Sequence, residues 1–281
     1  MPIYEQTYRR YEARAPLRRV RFWPITREAL RLVLARRAFL GLLLLPWLAF
    51  AGRVIQIYVV TRFPEAGRVL PVDGRLFGEF LSQQLVFVLF VTVFAGSGLV
   101  ASDLRTGAIL VYLSRPLTRR DYVAGKLLVL LILNLSVTLV PALLLYGVGL
   151  ALAPEQFLKW EMAWIAPAIV AYSLVIAVVM SLVSLAISSL SKSARVAGLS
   201  FFALVAGLHV VRNVLRLGFR REETTLLSLQ ANLQAIGQAL FDLRERGLDV
   251  PWPWPALILT LVSAGCLLVL RSRVRAVEVV R

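Results

Sequence analysis

The fifth apolar stretch of the sequence carries polar and basic side chains at helical spacing. This group, called the basic row below, comprises His209, Arg212, Asn213 and Arg216. Residues three or four apart share one helical face, so a helix would present the row together. A charge deep in lipid costs about 2.5–3.5 kcal/mol on insertion scales, so the row should face protein, water or lipid headgroups. Two interpretations stand: an anchor paired with Glu222 or Glu223, or a basic route for an anionic or amphipathic molecule.

The residue types give little indication of catalysis. The hydroxyl residues inside apolar stretches include Ser136, Thr138, Ser181 and Ser184. No base accompanies them, so we interpret them as interhelical hydrogen-bonding residues rather than nucleophiles. The single cysteine, Cys266, lacks the His, Cys or acidic neighbours of a metal site. We therefore expect no catalytic residue, no metal site and no cofactor bound by this chain.

The sequence also lacks a phosphate-binding Walker A loop. Gly125 and Lys126 form a Gly-Lys pair, but Arg120 stands where the pattern needs its first Gly, and no Ser or Thr follows. If ATP drives this protein, the ATPase is therefore a separate polypeptide. No Asp or Glu lies well inside an apolar stretch, which argues against a proton-coupled or sodium-coupled transporter.

The composition indicates a membrane protein. Hydrophobic residues make up 59% of the 281 residues, and the mean hydropathy is +0.75. Soluble domains are only about half apolar. No Asp, Glu, Lys or Arg occurs between Lys126 and Glu155 or between Glu161 and Lys192, gaps that accommodate a membrane-crossing helix of about 20 residues. The net charge of +16 comes from bases that flank these stretches, which favours contact with anionic lipid headgroups over nucleic acid.

Six membrane-spanning helices are predicted. They are Ala38–Val60, Phe80–Ala101, Tyr122–Leu152, Trp164–Leu190, Val196–Leu217 and Trp254–Leu270. The third is too long for a straight crossing and contains Pro141, so we expect a tilt or kink there. Pro24 opens a further helix, with Thr26 as N-cap and Glu28 in the first turn. This helix suits the membrane interface, with a simple extension of the first span as the alternative.

The distribution of bases sets the expected orientation. Ten Arg precede Ala38, and the other segments on that side of the spans hold more bases than the opposite loops. Because basic loops stay in the cytoplasm, we expect both termini there. A cluster of bases around Arg220 falls on the opposite side and runs against this excess. No cleavable signal peptide is expected, since the first apolar run begins only at Ala38.

The segment between the second and third spans, ASDLRTGAILVYLSRPLTRRDYVAGK, combines a short apolar helix with bases. Ile109, Leu110, Leu113 and Leu117 recur at helical spacing, and Pro116 should end that helix. These residues alone leave two interpretations open. The segment is either a rigid helix that carries force between a soluble partner and two spans, or a charged loop that only fixes topology.

This segment resembles the type-2 ABC exporter permeases. In that family a Gly near the end of the second span precedes an acidic-basic pair, a Gly, an apolar helix and Leu-Ser-x-Pro. A Ser/Thr-Arg, an aromatic residue and Gly-Lys follow. The matching residues are Gly98, Asp103, Arg105, Gly107, Leu113, Ser114, Pro116, Thr118, Arg119, Tyr122, Gly125 and Lys126. Ala108 departs from the pattern, because the family often has Thr or a longer polar residue there.

The resemblance implies an all-α polytopic membrane protein with six transmembrane helices, an N-terminal interfacial helix and a cytoplasmic coupling helix. Residues 1–37 would form the cytoplasmic N-terminal segment, 38–271 the six-span domain and 272–281 the cytoplasmic tail. Within the domain, 102–121 would be the coupling segment and 218–252 an extracytoplasmic helical segment. The residues implied in coupling are Asp103, Arg105, Gly107, Leu113, Ser114, Pro116, Thr118, Arg119, Arg120, Tyr122 and Lys126.

The function implied is that of an exporter permease in the bacterial cytoplasmic (inner) membrane. The chain would form the substrate pathway with a second copy of itself or a related permease. Two copies of a separate ABC ATPase would hold ATP and Mg²⁺. Because the second and fifth spans border the cavity in similar exporters, the basic row becomes a candidate exit route. The alternative is a non-transporting membrane scaffold or a transporter of another class.

The segment SLQANLQAIGQALFDLRERG, before the sixth span, has one apolar helical face. This face comprises Leu229, Leu233, Ile236, Leu240 and Leu243. The family places short helices here against the outer leaflet, so we expect a helix that rests on the membrane and covers the exit. A small soluble helical hairpin is the alternative.

Overall fold

The computed structural model describes residues 22–63, 65, 67, 70, 72–108, 118–152, 160–219, 222–241 and 251–273. These residues form twelve α-helices and no strand. The helices are α1 Trp23–Leu34, α2 Arg37–Arg62, α3 Gly74–Gly96, α4 Ala101–Thr106, α5 Arg119–Val137, α6 Leu139–Leu152, α7 Trp160–Ala163, α8 Ile165–Leu190, α9 Ala194–Phe202, α10 Leu208–Phe219, α11 Leu229–Leu240 and α12 Pro253–Arg273. A π-helical stretch, Ala203–Gly207, joins α9 to α10, and a 3-10 helix, Glu222–Leu227, precedes α11.

Six helical stretches are long and apolar enough to cross a membrane. Spans 1 to 6 are Arg37–Arg62, Gly74–Thr106, Arg119–Leu152, Ile165–Leu190, Ala194–Gly218 and Pro253–Arg273. This confirms the prediction of an all-α polytopic membrane protein. Successive spans run in opposite directions. We call the end with α1, α4 and the start of α5 the terminal end, and the opposite end, with α7 and α11, the far end.

Span 4 is the central helix of the bundle. The most apolar 18-residue window of span 4 is 72% buried, against 11%, 22% and 17% for spans 1, 5 and 6. Span 4 packs against spans 2, 3 and 6, and its buried side chains include Tyr172 and Ile176. Spans 1, 5 and 6 therefore leave most of their apolar surface available to lipid or to another protein.

Span 2 begins six residues earlier than predicted. The predicted start was Phe80, whereas the helix begins at Gly74. Asp73 caps it, because its Oδ1 accepts a hydrogen bond of 2.8 Å from the Arg75 amide. A prediction that ends each span at the nearest charged residue misses a first turn that contains Arg75 and is capped by Asp73.

Span 3 is interrupted where a kink was expected. Helix α5 ends at Val137 and α6 starts at Leu139, with Thr138 between them. Pro141 has no N–H for the carbonyl four residues earlier, that of Val137, and its ring crowds that turn. The Thr138 hydroxyl donates to the Asn134 carbonyl at 2.9 Å.

A buried polar chain joins spans 2, 3 and 4 near this interruption. The Thr92 hydroxyl donates to Asn134 Oδ1 at 3.0 Å, and Asn134 Nδ2 donates to Ser181 Oγ at 3.2 Å. All three residues are fully buried. Ser181 thus makes the interhelical hydrogen bond expected for such residues in a membrane interior.

Helix α1 is separate from span 1, so it is not a continuous extension of that span. It starts at Trp23, with Phe22 at the N-cap position, and Glu28 lies beyond the first turn. The prediction of Thr26 as N-cap was wrong. Thr26 is fully buried, and its hydroxyl lies 3.0 Å from the Gly125 carbonyl of span 3 and 3.3 Å from the Phe22 carbonyl.

Helix α11 confirms the helix expected before span 6. It packs against spans 2, 4 and 6, so it is not an independent hairpin folded on itself. Leu229 and Leu233 are buried, whereas Leu243 lies outside the described residues. Gly237 permits the close approach, since a Cβ there would lie 2.5 Å from the Tyr172 ring.

Candidate functional site

Three predicted coupling residues meet at the terminal end of spans 2 and 3. Lys126 Nζ lies 2.8 Å from Asp103 Oδ2, and the Tyr122 hydroxyl donates to the same oxygen at 2.8 Å. The Lys126 ammonium also lies 5.6 Å from the centroid of the Tyr122 ring. The side chains of Lys126 and Asp103 are only 7% and 15% exposed. We call Asp103, Tyr122 and Lys126 the loop clamp.

Local sequence signals place the loop clamp. Gly107 follows α4 with φ +70°, a left-handed conformation that glycine adopts without steric cost and that ends a helix. Thr118 and Asp121 form a capping box at the start of α5. Tyr122 and Lys126 are four residues apart, so α5 presents them on one face. The clamp therefore joins the two helices that bound the connecting segment.

The loop clamp contains a largely buried ion pair. Burying two charges is costly, and the attraction offsets that cost only when the geometry is close and the remaining polar atoms are hydrogen-bonded. The bond from Tyr122 supplies such a partner to Asp103. Removing one member of such a pair typically costs about 3–5 kcal/mol, because the other charge stays buried. The clamp thus holds the connection between spans 2 and 3 in one position.

Helix α1 packs directly behind the loop clamp. The Thr26 hydroxyl bonds the carbonyl of Gly125, the residue next to Lys126. A Cβ at Gly125 would lie 3.1 Å from the Phe22 carbonyl oxygen and 3.2 Å from Ile25 Cβ. Gly125 therefore allows α1 to pack closely here, which links α1 to the segment that the loop clamp holds.

Span 4 supports the other side of the same region. The Ser188 hydroxyl oxygen accepts hydrogen bonds from the amides of Val100 and Ala101 at 3.2 and 3.1 Å. It also donates to the Ser97 carbonyl at 2.9 Å. Ser188 thereby stabilises the turn between α3 and α4, where the backbone groups lack regular helical partners. Sequence analysis did not select Ser188, because hydroxyls are common in apolar helices.

The other predicted coupling residues lie around the loop clamp or outside the described residues. Arg105, Arg119 and Arg120 are exposed at the terminal end, and Thr118 caps α5. Leu113, Ser114 and Pro116 lie outside the described residues, which have a gap at 109–117. The helix expected within 102–121 is therefore described only at its two flanks. Those flanks present three exposed guanidinium groups.

The structure divides the basic row into two parts. His209 Nδ1 lies 3.1 Å from Ser228 Oγ, and Arg212 donates to Thr225 Oγ1 at 3.3 Å. Arg212 is 9% exposed, so it faces the 3-10 helix and α11. Asn213 also accepts a 3.2 Å hydrogen bond from Arg212, but Asn213 and Arg216 are exposed. His209 and Arg212 therefore contact the far-end segment, whereas the side chains of Asn213 and Arg216 are exposed.

The sequence profile of the ABC-2 family transporter proteins matches residues 25–240, more than three quarters of the chain. The chain belongs to this family. The match confirms the resemblance drawn from the segment between spans 2 and 3. Comparison with individual curated proteins gives no match.

As an ABC-2 family transporter protein, the chain is a multi-pass membrane component of an ABC transporter and not itself the catalytic subunit. Proteins of this family normally work with an ABC ATPase partner. The matched region starts in α1 and ends with α11, so it contains the loop clamp and the basic row. Span 6 lies beyond it.

One charged contact of this ABC-2 protein escaped sequence analysis. Arg53 of span 1 lies 3.4 Å from Glu79 of span 2 and donates to Gln56 Oε1 at 2.9 Å. The predicted second span began at Phe80, which placed Glu79 outside it. The spacing of residues within each span carries no signal for this pairing between spans.

Proposed function

We propose that the chain is the permease subunit of an ABC exporter and forms the substrate pathway as a dimer. Two copies of a separate ATPase dock on the connecting segment 102–121 and hold ATP and Mg²⁺. In this arrangement the terminal end faces the bacterial cytoplasm, and the protein lies in the inner membrane with both termini inside. The excess of Arg at the terminal end supports that orientation.

The loop clamp is the observation that carries the proposal. A force applied to the connecting segment passes into spans 2 and 3 only if that segment is fixed to both. Asp103, Tyr122 and Lys126 make that connection through two contacts of 2.8 Å. Helix α1 and Ser188 support it from two further directions. The loop clamp therefore favours a coupling element that transmits movement, because a loop that only fixes topology requires no such contacts.

Exposed arginines beside the loop clamp supply the proposed docking contacts. Arg119 and Arg120 lie in the first turn of α5 and are exposed. Guanidinium groups pair well with carboxylates on a partner surface. Their place at a helix N-terminus is electrostatically unfavourable, since that end of the helix dipole is positive. A partner carboxylate would offset this repulsion.

The far end is the proposed exit side. Asn213 and Arg216 line the route there because their side chains are exposed on span 5. His209 and Arg212 instead hold the 3-10 helix and α11 in place. In this proposal α11 forms the cover over the exit.

A charge-reversal experiment tests the proposal. The chain is purified from native membranes with its ATPase and reconstituted in liposomes, and ATP hydrolysis is measured. We expect the Arg119→Glu, Arg120→Glu variant to insert normally but to lose ATPase binding and ATP hydrolysis by the complex. The matched control is Arg271→Glu with Arg273→Glu, an exposed basic pair at the same end. Unchanged ATPase binding in the first variant would exclude docking at this site, as expected for a scaffold or another transporter class.

A further inference from the structure

A cavity of about 790 Å³ opens between span 4, α11 and span 6 in the far-end half of the bundle. Small side chains from all three helices create the space: Ala171 of span 4, Ala239 of α11 and Ala256 of span 6. Larger apolar side chains, among them Leu174 and Ile236, form the rest of the wall. Most of the lining belongs to spans 4 and 6, which are long and apolar enough to cross a membrane.

The wall of the cavity is chemically apolar. Among the lining residues, Thr260 and Ser263 carry hydroxyl groups, but both donate to carbonyls of their own helix. The distances are 2.8 Å from Thr260 to Ala256 and 2.7 Å from Ser263 to Leu259. Their hydrogens are therefore already used, so these hydroxyls offer a ligand only acceptor oxygens, and a hydrocarbon ligand would be held by packing alone. Trp252 lines the cavity just before span 6, where interfacial aromatic residues are typical.

The length of the cavity matches that of a hydrocarbon chain. Its lining runs from Ala171 to Val179 and from Trp252 to Ser263, about 12 and 16 Å along the two helices. One leaflet of a bilayer core is about 15 Å deep, which is the length of one acyl chain. Over that length the volume gives a mean cross-section of about 50 Å², enough to admit an extended hydrocarbon chain.

We propose that this cavity is a binding site for one acyl chain of a membrane lipid. The chain enters sideways from the far-end leaflet, and its headgroup stays near Trp252. An acyl chain gains no hydrophobic free energy when it moves from the bilayer into the cavity. Close packing against the three helices must therefore retain it. The site is independent of the proposed transport role, since it needs neither an ATPase nor a second copy.

Photo-crosslinking tests the site on the full chain alone. The protein is placed in nanodiscs containing phosphatidylcholine with a diazirine on one acyl chain, irradiated and mapped by mass spectrometry. Lining residues should carry about tenfold more adduct than the exposed Leu257 and Leu261 of the same span, equivalent to a preference of about 1.4 kcal/mol. Equal labelling of lining and exposed residues would mean bulk lipid only and would overturn the proposal.

Filling the cavity provides the second arm. Ala171→Phe with Ala239→Phe should lower adducts on the lining residues about tenfold. The control, Val170→Phe with Leu257→Phe, changes exposed residues outside the lining and should leave them unchanged. If the double variant fails to fold, Ala239→Leu and the wild-type adduct distribution decide the question. Undiminished labelling in a folded, filled variant would contradict the proposal.

Discussion

Lys126→Met is expected to destabilise the protein by about 3–5 kcal/mol. Lys126 is only 7% exposed, and its removal leaves the Asp103 carboxylate, 15% exposed, with the Tyr122 hydroxyl but without its positive partner. The folding equilibrium should therefore change by roughly two to four orders of magnitude. Unfolding in mixed micelles with increasing SDS, followed by tryptophan fluorescence, measures this change. Lys192→Met is the matched control, because Lys192 is exposed at the same end.

A double-mutant cycle separates the ion pair from simple loss of packing. Lys126→Met with Asp103→Asn removes both charges and keeps an acceptor for the Tyr122 hydroxyl. Its free-energy change should be about 2–3 kcal/mol smaller than the sum of the two single changes. Additive single changes, or a cost for Lys126→Met equal to that of Lys192→Met, would refute the loop clamp as a buried ion pair.

The remaining predictions concern α1 and the basic row. Gly125→Ala should destabilise the protein by about 1–3 kcal/mol and expose α1 to proteolysis, because its Cβ would crowd Phe22 and Ile25. Gly147→Ala, where a Cβ meets nothing within 4 Å, should do neither. Arg212→Gln should increase hydrogen exchange in the 3-10 helix, because it removes the hydrogen bond to Thr225; exchange equal to that of the wild type would contradict the anchoring role of Arg212. Arg216→Gln, at an exposed position of the same row, should lower export.

The spans and α11 could be predicted because hydrophobicity is a local property of the sequence. An apolar stretch without charges predicts a membrane helix wherever its neighbours lie. The face of α11 that includes Leu229 and Leu233 follows from the same periodicity. The interruption of span 3 was predictable because Pro141 acts on the turn that precedes it.

Contacts between elements could not be predicted from local patterns. Thr26 has the residue type of an N-cap, but it serves a carbonyl 99 residues away. The family pattern selected Asp103 and Lys126 separately, and only the packing of spans 2 and 3 makes them a pair. A single sequence contains no direct signal for such distances.

The residues of the basic row share one helical face, as predicted, but that face alone does not predict which of them are buried. Successive residues in a helix lie about 100° apart, so Arg212 and Asn213 stand at opposite edges of that face. The 3-10 helix covers one edge, which buries Arg212 and leaves Asn213 exposed. The position of that short helix depends on tertiary packing, which the spacing of the row does not encode.

Site-directed cross-linking to the ATPase tests the central claim most directly. The experiment uses the complex purified from native membranes, with Cys266 changed to Ser. One variant carries Arg119→Cys beside the loop clamp, and the other carries Phe63→Cys at an exposed position of the far end. A bifunctional maleimide–amine reagent should join the ATPase to the chain with Arg119→Cys and not to that with Phe63→Cys. Cross-linking only from Phe63→Cys, or recovery of the chain without any ATPase, would contradict docking at the segment between spans 2 and 3.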